Sequence, residues 1–212
     1  MNVYLIRHGE SMGNQTGKIQ GIMDFALSEF GREQVQLLAS YFERVQLDYV
    51  YSSDLSRAYE TAQAIGQAKK LSVHAWDQIR EVNLGPFQGL SRAEIYERFP
   101  ITKEKSILTS GLEGTETIEQ LTARCKHVKK QLQLAHNKDH VAIVSHGGFI
   151  SIFLMYLLTG DEWHTYHRPF QIANTSITHI EWTDEGQPLI HYLNQTGHLE
   201  TLQTDQQKKG LL

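Results

Sequence analysis

Short runs of β-branched and aromatic residues alternate along the chain with segments whose apolar residues recur at helical spacing. The runs predict six strands, at Val3–Ile6, Tyr49–Ser52, Ser72–Trp76, Val141–Ser145, Ile177–Trp182 and Leu189–Leu193. Two helical stripes lie between them, one at Val35, Leu38, Ala39 and Phe42 and the other at Leu55, Tyr59, Ala62 and Ile65. This alternation predicts a three-layer α/β/α sandwich around a mainly parallel central sheet.

Two regions depart from that alternation. The last two runs are joined by Asp184-Glu185-Gly186, which predicts an antiparallel hairpin at one edge of the sheet. The stretch 83–115 is rich in glycine and proline and contains one short helical pattern, near Ser91–Arg98. We interpret it as an insertion that lies over one end of the sheet as a lid. A single domain is therefore expected over residues 1–203, followed by a polar tail at 204–212.

Composition and charge narrow the function classes. The 212 residues are 40% apolar and 21% charged, which is typical of a globular protein, and the net charge of −4 argues against a nucleic-acid partner. We expect no signal peptide before Val3, and the apolar stretch Phe149–Leu158 is too short to span a bilayer. The single Cys125 lies on an apolar helical stripe and is expected to be a small core residue. These features predict a cytoplasmic protein without a membrane partner.

Candidate chemistry appears where predicted strands end. The first strand runs into Arg7 and His8, and Val141–Ser145 runs into His146. Arg57 opens the helix after the second strand, and Glu81 follows the third. Because the carboxyl ends of parallel strands meet at one edge of a sheet, these side chains are expected to form one pocket. Two arginines, two histidines and helix N-termini suit a phosphate dianion that an imidazole can attack.

A lone histidine among 11 is more often structural than catalytic. The prediction of a catalytic pocket therefore depends on several candidate residues meeting at one edge of the sheet. Other histidine pairs have spacings that could ligate a metal, namely His136 with His140 and His164 with His167. The first pair encloses the turn-like Asn137-Lys138-Asp139, and the second lacks nearby cysteine or carboxylate partners. We therefore expect surface histidines there and predict no metal site.

Several motifs together resemble a known family. Leu5-Ile6-Arg7-His8-Gly9-Glu10-Ser11, followed by Asn14, resembles the signature of the histidine phosphatase superfamily, in its phosphoglycerate-mutase-like branch. Further matching segments follow in the family's order, at Ser52-Ser53-Asp54-Leu55-Ser56-Arg57, Arg80-Glu81 and Ser145-His146-Gly147-Gly148. The resemblance extends from Asn2 to about Leu193.

The resemblance implies specific roles for these residues. His8 is expected to be the nucleophile that becomes phosphorylated, and Arg7, Arg57 and His146 to surround the phosphoryl group. Glu81 is expected to protonate the leaving oxygen and then to activate water. The resemblance also implies further phosphate or substrate contacts, from Ser11, Asn14, Gln20, Gly21 and Gly147. No metal is implied.

The resemblance leaves open whether the phosphoryl group goes to water or to a second hydroxyl. After Glu81 the chain reads Val82-Asn83-Leu84-Gly85, unlike the Arg-His-Tyr-Gly of the family's mutases, and the chain is shorter than theirs. These departures favour a broad-specificity phosphatase that acts on a small phosphorylated substrate without a cofactor. Gln88-Gly89-Leu90 resembles the mutase pattern, so a mutase dependent on 2,3-bisphosphoglycerate is the alternative.

A third function class is an inactive relative that only binds a phosphorylated ligand. Such proteins usually lack the nucleophile or a phosphate-binding arginine, whereas all five predicted catalytic residues are present here. We expect substrate selectivity to come from the insertion and from the segment 163–170. Neither the natural substrate nor the oligomeric state is predicted.

Overall fold

A six-stranded sheet forms the centre of the fold in the computed structural model, which describes residues 1–103 and 106–202. The strands lie in the order β3-β2-β4-β1-β5-β6. Their bounds are β1 Asn2–Arg7, β2 Tyr49–Ser52, β3 Val73–Ala75, β4 His140–Ser145, β5 Ile177–Trp182 and β6 Pro188–Gln195. All six predicted strands are confirmed, and β3 is shorter than predicted because a 3-10 turn, Asp77–Ile79, follows it closely.

The direction of the strands also agrees with the prediction. Strands β3, β2, β4 and β1 run parallel to their neighbours. Strand β5 pairs antiparallel with β1, and β6 pairs antiparallel with β5. The sheet is therefore mainly parallel with the predicted hairpin at one edge.

Helices cover both faces of this sheet. Their bounds are α1 Met12–Gln15, α2 Glu29–Phe42, α3 Ser56–Lys69, α4 Arg92–Arg98, α5 Ile118–Ala135 and α6 Gly147–Thr159. Along β1, Val3 and Leu5 join a core with residues of α5 and α6, whereas Tyr4 and Ile6 join a core with residues of α2 and α3. Successive side chains of a strand point to opposite faces, so one strand serves both cores. The three-layer prediction is confirmed.

The long helix α5 begins and packs as its sequence suggests. The Thr117 hydroxyl accepts a hydrogen bond from the backbone N–H of Gln120, and the Gln120 side chain accepts one from the N–H of Thr117. Cys125 is fully buried in the core, where burial raises the pKa of its thiol to about 12. The thiol is therefore a packing group, as expected.

The stretch 83–115 between β3 and α5 contains α4 and several 3-10 turns. A bridge between Leu84 and Thr115 joins its two ends. Gly85 lies in the left-handed region at this bridge, and a Cβ there would lie 2.6 Å from the backbone of Gly114. Lys18, after α1, pairs with Glu94 of α4 at 2.9 Å and ties the stretch to the first loop. Movement of the stretch 83–115 as a lid stays a prediction. The predicted tail at 204–212 falls outside the described residues.

Candidate active site

The register of three parallel strands brings the predicted site residues together. Arg7 of β1 pairs with Ser145 of β4, and the N–H of His8 donates to the Ser145 carbonyl at 3.0 Å. One strand further, the N–H of Ser53 donates to the Val144 carbonyl at 2.9 Å. His8, His146 and Ser53 therefore leave the sheet side by side.

His8 is held in one ring orientation. Its Nδ1 lies 2.7 Å from the carbonyl oxygen of Gly9. A carbonyl can only accept, so Nδ1 carries the proton and Nε2 keeps its lone pair. Burial, together with the charges of Arg57 and Arg7, lowers the pKa of His8 well below its ordinary value. The ring is therefore neutral near pH 7.

Arg7 lies beside the start of α6. Its Nη1 donates to the carbonyl of Ile172 at 2.6 Å, and Gly147 packs against its guanidinium, because a Cβ at Gly147 would lie 3.4 Å from the guanidinium carbon. Burial lowers the pKa of Arg7 to about 10, and the nearby Glu81 carboxylate opposes that shift. Arg7 therefore remains charged at neutral pH.

Arg57 opens α3 with its side chain almost fully buried. Its Nη1 donates to the Met23 carbonyl and its Nη2 to the Gly21 carbonyl, both at 2.8 Å. Gly21 is left-handed, and any side chain there would collide with Gln88. Burial lowers the pKa of Arg57 to about 10, so it too is a cation near pH 7.

His146 precedes α6 and lies against His8, with ring centroids 5.0 Å apart. Its Nε2 lies 2.8 Å from the Ser53 hydroxyl. Burial, followed by Arg57 and His8, lowers the pKa of His146 well below its ordinary value. Within the described ranges, three buried nitrogen atoms of the cluster have no hydrogen-bond partner, namely Arg7 Nε, Arg57 Nε and His146 Nδ1. The two guanidinium nitrogens are donors, and donors of this kind suit an anionic ligand.

Glu81 reaches the same cluster from the loop after β3. Its Oε2 accepts from the N–H of Gly148 at 3.1 Å, and its Oε1 accepts from the N–H groups of Phe149 and Val82, both at 2.9 Å. The carboxylate thus satisfies free donors in the first turn of α6 and is fixed there.

The other predicted phosphate contacts lie around α1. The Ser11 hydroxyl is fully buried, caps α1 by accepting from the Asn14 N–H, and donates to Gln20 Oε1 at 2.8 Å. Asn14 Oδ1 accepts from the Ser11 N–H and from Asn174 Nδ2. The contacts of Asn14 and Gln20 with a phosphate stay a prediction. For Ser11 and Gly21 the observed roles are in positioning, and their contact with phosphate stays a prediction.

Three further residues were not assigned a role from the sequence. Thr61 accepts from the Gly9 N–H at 3.1 Å and donates to the Arg57 carbonyl at 2.7 Å. Ser53 contacts His146, and Asn174 Nδ2 donates to the His8 carbonyl at 3.0 Å. Ser53 and Thr61 lie close to Arg57 in sequence and could have been found there. Asn174 lies in irregular chain, with no pattern to single it out.

The histidines with metal-like spacing have other surroundings. In residues 1–103 and 106–202, no group of three or more His, Cys, Asp or Glu side chains could hold a metal ion. His136 is buried and contacts Tyr51 and Asp139, so the expectation of a surface histidine was wrong for it. The ring fills space between β2 and the end of α5. The same residues also contain no helix long and apolar enough to cross a bilayer.

Comparison with known proteins places the chain in a family. The model of the histidine phosphatase superfamily (branch 1) matches residues 3–196. Phosphoserine phosphatase 1 of Hydrogenobacter thermophilus is 32% identical over 202 residues, 94% of each chain. Phosphoglycerate mutase-like protein 4 of Arabidopsis thaliana is 31% identical and covers 94% of this chain and 90% of its own.

A solved structure has the same fold. It is a histidine-to-alanine mutant of phosphoserine phosphatase from Entamoeba histolytica, in complex with phosphoserine. Its TM-score is 0.76 at 29% identity, with 93% of this chain and 98% of that chain covered. These similarities confirm the family and the predicted activity, hydrolysis of a small phosphomonoester. The chain belongs to the histidine phosphatase superfamily (branch 1).

Proposed function

We propose that the chain hydrolyses small phosphomonoesters through a phosphohistidine formed on Nε2 of His8. One observation carries this proposal, the 2.7 Å contact between His8 Nδ1 and the Gly9 carbonyl. It fixes the tautomer whose Nε2 lone pair can attack phosphorus. The depressed pKa of His8 supports the same role, because a protonated ring has no lone pair to offer.

The cations around His8 bind the transferring phosphoryl group. Arg7 and Arg57 are charged, buried and held by backbone carbonyls. No salt bridge among the described residues involves either of them, so their charge is available to a phosphate. Fixed cations in a buried site stabilise the charge that develops on the equatorial oxygens. His146 Nδ1 adds a further polar contact.

Glu81 moves the proton in both steps. The first step starts with Glu81 protonated: the N–P bond to His8 forms, the ester P–O bond breaks, and the leaving oxygen takes the proton from Glu81. In the second, water attacks phosphorus, its proton passes to Glu81, and the N–P bond breaks. His8 is regenerated, inorganic phosphate leaves, and no redox partner or metal enters the balance.

A screen of phosphorylated metabolites, run with and without 2,3-bisphosphoglycerate, tests the proposal. Phosphoserine, named for two of the relatives above, belongs in the panel with 3-phosphoglycerate and para-nitrophenyl phosphate. We expect phosphate release without the bisphosphate, and its loss in His8→Ala with the fold retained by circular dichroism. Interconversion of 3- and 2-phosphoglycerate only in its presence would establish the mutase instead. Binding of these compounds without turnover in either condition would indicate the inactive binding protein.

A further inference from the structure

A cavity of about 270 Å³ adjoins the cluster at Arg7 and Gly147. One wall comes from the stretch 83–115 and includes Arg92 and Ser106, and the other comes from the segment after α6 and includes His167 and Arg168. Pockets for drug-sized ligands measure about 300–1,000 Å³, so this cavity suits the small alcohol portion of a metabolite.

Among the described residues, the charged side chains that line this cavity are all positive. Three arginines line it, Arg7, Arg92 and Arg168, and its described lining includes no aspartate or glutamate. Arg7 serves the phosphoryl group in the proposed reaction. The other two come from the cavity walls, outside the cluster around His8, and Arg168 adds positive charge there beyond that of Arg7.

Arg168 connects the two walls of the cavity. It is half-buried, and its Nη2 donates to the Ser106 hydroxyl at 2.5 Å, across the cavity walls. Burial lowers the pKa of Arg168, and no charged group of the described residues offsets that shift.

Two guanidiniums outside the cluster around His8 each pair with a carboxylate. Arg124 pairs with Glu116, and Arg80 pairs with Asp54. Arg168 pairs with no carboxylate in the described parts of the chain. Removing a charge from water without a partner costs free energy, so an anion from the ligand would stabilise Arg168.

We propose, on the basis of the proposed function, that Arg168 selects phosphomonoesters whose alcohol portion carries a second anionic group, a carboxylate or another phosphate. The phosphoryl group lies at Arg7 and Arg57, and the second anion lies at Arg168. Ile107, Leu108 and Phe170 supply apolar contacts for the carbon skeleton between them.

Matched substrate pairs test this selectivity. 3-Phosphoglycerate and glycerol 3-phosphate differ by a carboxylate in place of a hydroxymethyl group. Fructose 1,6-bisphosphate and fructose 6-phosphate differ by one phosphate, so the two pairs tell a carboxylate from a second phosphate. We expect the wild type to prefer the anionic member of at least one pair by about 10- to 100-fold in kcat/KM, the usual worth of a hydrogen bond to a charged group.

The variant Arg168→Gln is expected to lose that preference, mainly through a higher KM, and to turn over para-nitrophenyl phosphate within about twofold of wild type. Arg168→Lys keeps the charge but not the planar fork, and should retain part of the preference. Arg44→Gln, a substitution at an exposed arginine after α2, removes the same charge outside the cavity and should change nothing.

The outcomes separate this inference from the proposed function. Hydrolysis of para-nitrophenyl phosphate with no preference in either pair, or with a preference that survives Arg168→Gln, overturns the inference and leaves the function intact. If nothing is hydrolysed, the proposed function fails, and calorimetric binding of the same pairs to wild type and Arg168→Gln still decides the inference. Equal affinities within each pair would then overturn it.

Discussion

His8 and His146 follow a pair of residues in register on adjacent parallel strands, Arg7 of β1 and Ser145 of β4, and their rings lie 5.0 Å apart. This relationship follows from the sheet, because neighbouring parallel strands that end together place their next residues side by side. Burial lowers the pKa values of both rings, and the charges of Arg57 and Arg7 lower them further. The strand ends thus place two neutral imidazoles beside two cations.

Thr61 is predicted to position the nucleophile without touching substrate. Thr61→Val keeps the shape but leaves the buried N–H of Gly9 without its acceptor, which costs about 1–3 kcal/mol. We expect kcat to fall about tenfold or more with little change in KM, because the loop that holds His8 loosens. Thr61→Ser is the matched control and should restore most of the rate. If Thr61→Val keeps the wild-type rate and Thr61→Ser loses it, packing of the methyl group and not the hydrogen bond is responsible.

Glu81→Gln is predicted to slow hydrolysis by about 10²–10⁴-fold for alkyl phosphates, the usual contribution of a general acid. The loss should be much smaller for para-nitrophenyl phosphate, whose leaving oxygen needs little help from a proton. A plot of log kcat/KM against the pKa of the leaving group measures the difference, and equal losses across the series would exclude the acid role. Because the new amide NH₂ faces the N–H donors of Gly148 and Phe149, thermal unfolding must be followed in parallel.

The depressed pKa of His146 predicts a pH-dependent stability. In the unfolded chain the ring takes up a proton as the pH falls through about 6.5, whereas the folded ring stays neutral to well below that value. The free energy of unfolding therefore falls with pH below about 6.5, by about 1 kcal/mol between pH 7.5 and 5.5 for this histidine. Urea denaturation at both pH values should show a smaller fall in His146→Gln than in wild type. His74→Gln, at an exposed histidine, should follow the wild type, and an identical fall in all three proteins would contradict the account.

Much of the fold followed from local patterns. The β-branched runs and the alternation of β1 predicted the strands and the two cores, and the strand-end rule grouped Arg7, His8, Arg57 and His146. Short-range signals of this kind depend on the strand period and on the chemistry of turns, which the sequence displays directly.

Such patterns do not predict contacts between irregular segments that are far apart in the sequence. Arg168 meets Ser106 across 62 positions, and both lie outside regular strands and helices. Glu81 was grouped with the site, but its binding to the N–H groups of Gly148 and Phe149 depends on how α6 packs. No periodicity encodes these distances, because they result from the packing of whole elements.

The central claim, a phosphohistidine on His8, can be tested by trapping the intermediate. The protein is mixed with ³²P-labelled substrate and quenched in alkali within the first turnover. An N–P bond survives in alkali, whereas an acyl phosphate is hydrolysed. Digestion and mass spectrometry then locate the label. We predict an alkali-stable, acid-labile phosphate on the peptide that contains His8, formed at the rate of the initial burst and absent from His8→Ala. Turnover without protein-bound label, or label on His146 instead, would contradict the account.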